Sequence, residues 1–122
     1  MIFTKLECVC LPTADMRASI EFYTSMGLVE SWRIERTSAA GVPWSLVGLR
    51  FPDPNSSELV LSNDPDNRRS EVELAVTDVR QAYAELSANP DIEWVRAPFE
   101  IESGHVAVMK APDGNVFVLV GS

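Results

Sequence analysis

The sequence predicts an α+β fold built from two copies of a strand–helix–strand–strand–strand (βαβββ) unit. Three observations predict it. Alternating apolar and polar residues mark short strands in both halves of the chain. In each half an aspartate opens a stretch with helical apolar spacing. The order of elements then repeats at an offset of 63 residues, which places Cys8 on Glu71, Leu11 on Leu74, Asp15 on Asp78 and Arg17 on Arg80.

The first unit begins with a strand over residues 3–11. Leu6, Cys8 and Cys10 fall on one face; Glu7, Val9 and Leu11 fall on the other. Pro12 stops it. Asp15 caps a helix from about Met16 to Met26, with Met16, Ile20, Phe22 and Tyr23 as its apolar stripe and Gly27 after its end. Strands follow over 28–36, 44–51 and 58–61, separated by loops at Ala39–Pro43 and Pro52–Ser57. The polar stretch 63–69 reads as a linker between a first module, 1–62, and a second, 70–122. There Glu71–Val76 alternates again. Asp78 caps a helix with Val79, Ala82, Tyr83 and Leu86 as its stripe, and Asn89-Pro90 ends it. Strands near 92–97, 104–110 and 115–120 complete the copy, the last two joined by the turn Pro112-Asp113-Gly114-Asn115.

Length and charge bound the function. A chain of 122 residues is one ordinary domain. Ten Lys and Arg against 18 Asp and Glu leave a net charge of −8. That balance argues against nucleic acid and anionic membranes, which need clustered cations, and leaves room for a neutral or cationic small ligand. No apolar run reaches the roughly 20 residues of a membrane helix, and the first residues lack a signal-peptide pattern. Cys8 and Cys10, two apart on one strand, sit roughly 6.5–7 Å apart with parallel side chains. They are poorly placed for a disulfide, so reduced thiols and a cytoplasmic protein are expected. The single histidine, His105, cannot make a multi-histidine site; at a strand start it is expected in a turn or solvent role.

The run Leu11 to Asp15, then Met16-Arg17-Ala18-Ser19-Ile20-Glu21-Phe22-Tyr23 and Met26-Gly27-Leu28, resembles the vicinal oxygen chelate superfamily. So do Leu74-Ala75-Val76-Thr77-Asp78-Val79 and the ending Ala111-Pro112-Asp113-Gly114-Asn115. That superfamily includes glyoxalase, the bleomycin resistance proteins and the extradiol dioxygenases. The resemblance implies paired modules forming a curved, incompletely closed eight-stranded sheet, helices on the convex side, a ligand in the concave groove and a homodimer. The alternation then puts Val9, Leu11, Leu59, Leu61, Val72, Leu74, Val76, Phe117 and Leu119 toward the helices. Cys8, Cys10, Glu58, Val60, Glu71, Glu73, Ala75, Val116, Val118 and Val120 line the groove.

The metal-ligand positions of metal-dependent members fall, by the same resemblance, on Cys8, Glu58, Glu71 and Val118. Only Glu58 keeps a usual ligand, and Val118 has no donor. A divalent metal would have to rely on Cys8, Glu58, Glu71 and water, so no cofactor is expected. An acidic groove of Glu58, Glu71 and Glu73, with Trp32 and Trp44 for stacking and Cys8, Cys10, Val60 and Val118 as wall, suits a cationic planar ligand. Trp94 also lies on a predicted strand; tryptophans on a sheet more often serve the core or a dimer interface, although all three could contribute to an aromatic cation site. Cys8 has no evident activating base, and no catalytic residue is named. The leading expectation is a metal-independent small-molecule-binding protein of the sequestration or resistance type. The alternative is a divergent metal-dependent lyase, isomerase or dioxygenase.

Overall fold

Eight strands and two helices alternate as the duplication requires in the computed structural model, which describes all residues from Met1 to Ser122. They are β1 (Phe3–Pro12), α1 (Met16–Ser25), β2 (Val29–Thr37), β3 (Pro43–Arg50), β4 (Glu58–Ser62), β5 (Glu71–Val76), α2 (Val79–Leu86), β6 (Glu93–Ile101), β7 (Gly104–Lys110) and β8 (Val116–Gly121). The α+β class and the two βαβββ modules are as expected. The chain divides into two compact units: Cys8–Ser70, and Met1–Glu7 with Glu71–Ser122. No helix is long and apolar enough to cross a membrane.

In the first unit the strands lie in the order β2-β3-β4-β1. β1 runs parallel to β4, and β3 is antiparallel to both β2 and β4. Alternation sends Val47, Leu49 and Leu61 to one face, where they are essentially inaccessible to solvent. Met16, Ile20 and Tyr23 of α1 pack there, together with Leu11, Leu28, Phe51 and Leu59. Asp15 starts this helix as predicted: its carboxylate accepts from the Ala18 amide at 3.1 Å. Gly27, at φ 107°, takes the chain out of the helix in a conformation that disfavours any side chain. Phe22 departs from expectation. It is 55% exposed and makes only an edge contact with Tyr23, because a residue two places from Ile20 turns away from the buried stripe.

The second unit repeats the plan in the order β5-β8-β7-β6. β5 is parallel to β8, which pairs antiparallel with β7. Val76, Val79, Ala82, Ala107, Met109 and Leu119 form its core, with Leu74, Leu86, Trp94 and Phe117 packed around them. Asp78 caps α2 by accepting from the Gln81 amide at 3.0 Å. In the β7–β8 turn the Asn115 amide donates to the Asp113 carboxylate at 3.0 Å. That backbone bond, reinforced by the Asn115 side chain, holds the Asp113 carboxyl below its ordinary value.

Two local expectations change in the second unit. β6 continues to Ile101 because the chain pairs again with β7 beyond Pro98, through Phe99 with Val106 and Glu100 with His105. His105 is half-buried, not a turn or solvent residue. Its Nε2 lies 2.6 Å from Nη2 of Arg80 on α2. A guanidinium only donates, so Nε2 is the acceptor, and the other ring nitrogen, Nδ1, is buried without a partner.

Candidate functional site

The face of the first unit that points away from α1 carries a continuous row. Trp32 of β2 pairs with Gly48 of β3, Gly48 with Val60 of β4, and Val60 with Cys10 of β1. Residues directly opposite one another in a ladder share a face. Cys8, Cys10 and Val60 form a buried cluster there, separate from the helix-side core, with Trp32 and Leu46 against it. Both cysteines are free thiols, as expected from their spacing.

Glu58 stands beside this row, in register with Cys8. A β-bulge prepares its surroundings. Between Glu30 and Trp32 the register with β3 slips: Glu30 faces Leu49 and Trp32 faces Gly48, which leaves Ser31 as the extra residue. Such an insertion frees a side chain from strict alternation. Adjacent residues thereby reach one carboxylate. The Ser31 hydroxyl donates to Oε2 of Glu58, and the Trp32 indole N–H donates to Oε1 at 3.3 Å. The Ser31 oxygen also lies 3.2 Å from the Gly48 carbonyl, but the charged acceptor is the stronger one.

Gly48 makes room for the indole. A Cβ at that position would sit 2.1 Å from Nε1 and 2.2 Å from Cε2 of Trp32, far inside contact distance. The ring therefore lies directly over the backbone of β3, and only glycine permits it. The product is a half-buried carboxylate oriented by two donors, beside an aromatic ring and an apolar floor. A carboxylate has about four acceptor positions, so two remain for a donor from outside.

The other expected groove residues are distributed as follows. Trp44 shares the Trp32 face but lies four residues earlier on β3, about 13 Å along the strand. There Arg36 stacks 5.5 Å from its ring centre. Glu71, Glu73 and Val118 belong to the second unit, where Glu73 pairs with Val118. Both glutamates are half-buried, and Val118 is 7% exposed. Trp94 packs on the helix side of that unit: its ring lies 4.5 Å from that of Tyr83 and its N–H donates to Ser87 at 3.1 Å.

The side chains at the four positions that the family resemblance maps to metal ligands do not fit a usual metal shell. Val118 offers only hydrocarbon. No group of three or more His, Cys, Asp or Glu side chains is assembled in a way that could hold an ion. Ser31 and Gly48 were not singled out from the sequence. A glycine inside a strand was the available signal for Gly48, since it marks close approach by another group. Ser31 had no signal, because the bulge depends on strand register.

A sequence profile described as Glyoxalase/Bleomycin resistance protein/Dioxygenase superfamily matches residues 5–119. No curated protein matches. Among solved structures, methylmalonyl-CoA epimerase from Mycobacterium tuberculosis superposes with a TM-score of 0.75 at 17% identity, covering 98% of this chain and 89% of that one. A hypothetical protein from Bacillus halodurans gives 0.72 at 13% identity, covering 97% and 94%. A variant of the Streptomyces coelicolor methylmalonyl-CoA epimerase, in complex with 2-nitronate-propionyl-CoA, gives 0.70 at 18%, covering 98% of each. These likenesses show the fold. The profile, which spans all but the ends of the chain, shows the family: the chain belongs to the glyoxalase/bleomycin resistance protein/dioxygenase superfamily.

Proposed function

We propose that this protein binds a small organic cation on the Glu58–Trp32 face, by hydrogen bonding and stacking and without a metal. The observation that carries the reading is the Glu58 carboxylate, held by Ser31 and Trp32 over the apolar row of Gly48, Val60 and Cys10. A fixed carboxylate beside an indole suits a flat cation with an N–H to donate. The net charge of −8 favours such a ligand at long range. The donor set at the metal-ligand positions supports metal independence. Sequestration is the role we assign. A homodimer in the cytoplasm is the setting we expect.

Similarity to methylmalonyl-CoA epimerases supports a second, catalytic reading, in which a divalent ion would act. Calorimetric titration separates the two. A panel of planar aromatic amidines and guanidines is titrated beside neutral isosteres. The expected result is binding of the cations only, weakened at least about tenfold by Glu58→Gln with the fold intact. Equal binding of the neutral isosteres, or no effect of Glu58→Gln, would overturn the proposal.

A further inference from the structure

β6 is the edge strand of the second unit, paired only with β7. Its register breaks twice. Trp94 and Arg96 face Met109 and Val108, so two steps on β6 match one on β7. Arg96 and Phe99 then face Val108 and Val106, three steps against two. In a regular strand, residues two apart share a face and residues three apart do not. Each extra residue reverses that rule. Trp94 consequently turns to the helix side, against Tyr83, while Arg96 and Phe99 both turn to the opposite face.

There the Arg96 guanidinium carbon lies 3.7 Å from the centre of the Phe99 ring. Stacking fixes the plane of the guanidinium and leaves its N–H edge available. Arg33, Arg17 and Lys110 by contrast meet carboxylates: Arg33 meets Glu30 at 2.8 Å, Arg17 meets Glu21 and Lys110 meets Glu93. Arg96 is exposed, and its described contact is the phenyl ring. Its ladder neighbour is Val108, and that of Phe99 is Val106, both half-buried and on the same face. A fixed guanidinium edge beside an apolar strip matches an anion at the end of a hydrocarbon body.

We propose that Arg96, stacked on Phe99, binds the carboxylate of a small organic acid whose apolar part lies on Val106 and Val108. This goes beyond the cation site of the first unit, since it concerns other residues and the opposite charge. The test follows the arginine Nε–Hε resonances of the full chain by NMR during titration with hexanoate, hexan-1-ol and inorganic phosphate, each to roughly 10 mM, the range where a single charged anchor acts. The Arg96 resonance, assigned by its loss in Arg96→Gln, is expected to shift with hexanoate. Hexan-1-ol and phosphate should bind at least about fivefold more weakly, lacking the charge and the apolar body respectively. Phe99→Leu should weaken hexanoate about threefold by freeing the guanidinium. Glu58→Gln should leave the response unchanged, which keeps this test independent of the cation reading. No shift of the Arg96 resonance with hexanoate, or an equal response to hexan-1-ol or to phosphate, would overturn the proposal.

Discussion

At the scale of single residues, the Glu58 site depends on a side chain that is missing. Gly48 lets the Trp32 indole lie on the strand, and that position lets its N–H reach Glu58. Gly48→Ala should therefore act on two readouts. Overpacking should destabilise the fold by about 1–3 kcal/mol in denaturant unfolding. The displaced indole should leave Glu58, which a changed Trp32 N–H chemical shift would report. Loss of stability with an unmoved resonance would mean that the ring keeps its place and the backbone yields. Glu58 itself was legible, because a strand position carries it. Its donors were legible only in part: Trp32 was named from its aromatic type, while Ser31 enters through a one-residue slip that composition cannot encode.

At the scale of elements, the helices behave as their sequences require. Asp15 and Asp78 each satisfy an amide three residues on. Asp15→Ala and Asp78→Ala should each cost about 1 kcal/mol, measured by chemical denaturation, and the two should add in the double variant because they cap different helices. Strand faces were also readable. Leu59, Leu61, Leu74, Val76, Phe117 and Leu119 pack in the helix-side cores, while Cys8, Cys10 and Val60 cluster on the opposite face. Period-two alternation fixes this wherever pairing is regular. One misreading occurs where it is not. β6 extends past Pro98 because bulges let the chain re-pair beyond it. Phe22 follows the helical rule strictly, and its exposure shows that the apolar stripe drawn for α1 was too broad.

At the scale of the whole molecule, the fold was legible in an order of elements and capping aspartates that recur, and the family in motifs spread along both halves. The chemistry was less legible. By the family resemblance Val118 stands where metal-dependent members carry a ligand, and it has no donor atom; no three His, Cys, Asp or Glu side chains come together to hold an ion. Together they predict that excess Zn²⁺, Mn²⁺ or Co²⁺ leaves the melting temperature of the protein within about 1 °C. A native site held at a hundred times its dissociation constant would instead add about 2.7 kcal/mol, a shift of several degrees for a chain of this size. The bulges in β2 and β6 have one more consequence. These strands end the ladders of their units, and each exposes a row of amides and carbonyls that another chain could use as a template. The slips at Ser31 and on both sides of Arg96 interrupt that row. The same irregularities that aim a serine and an arginine thus deny an incoming strand a continuous partner, and guard the protein against growing edge to edge.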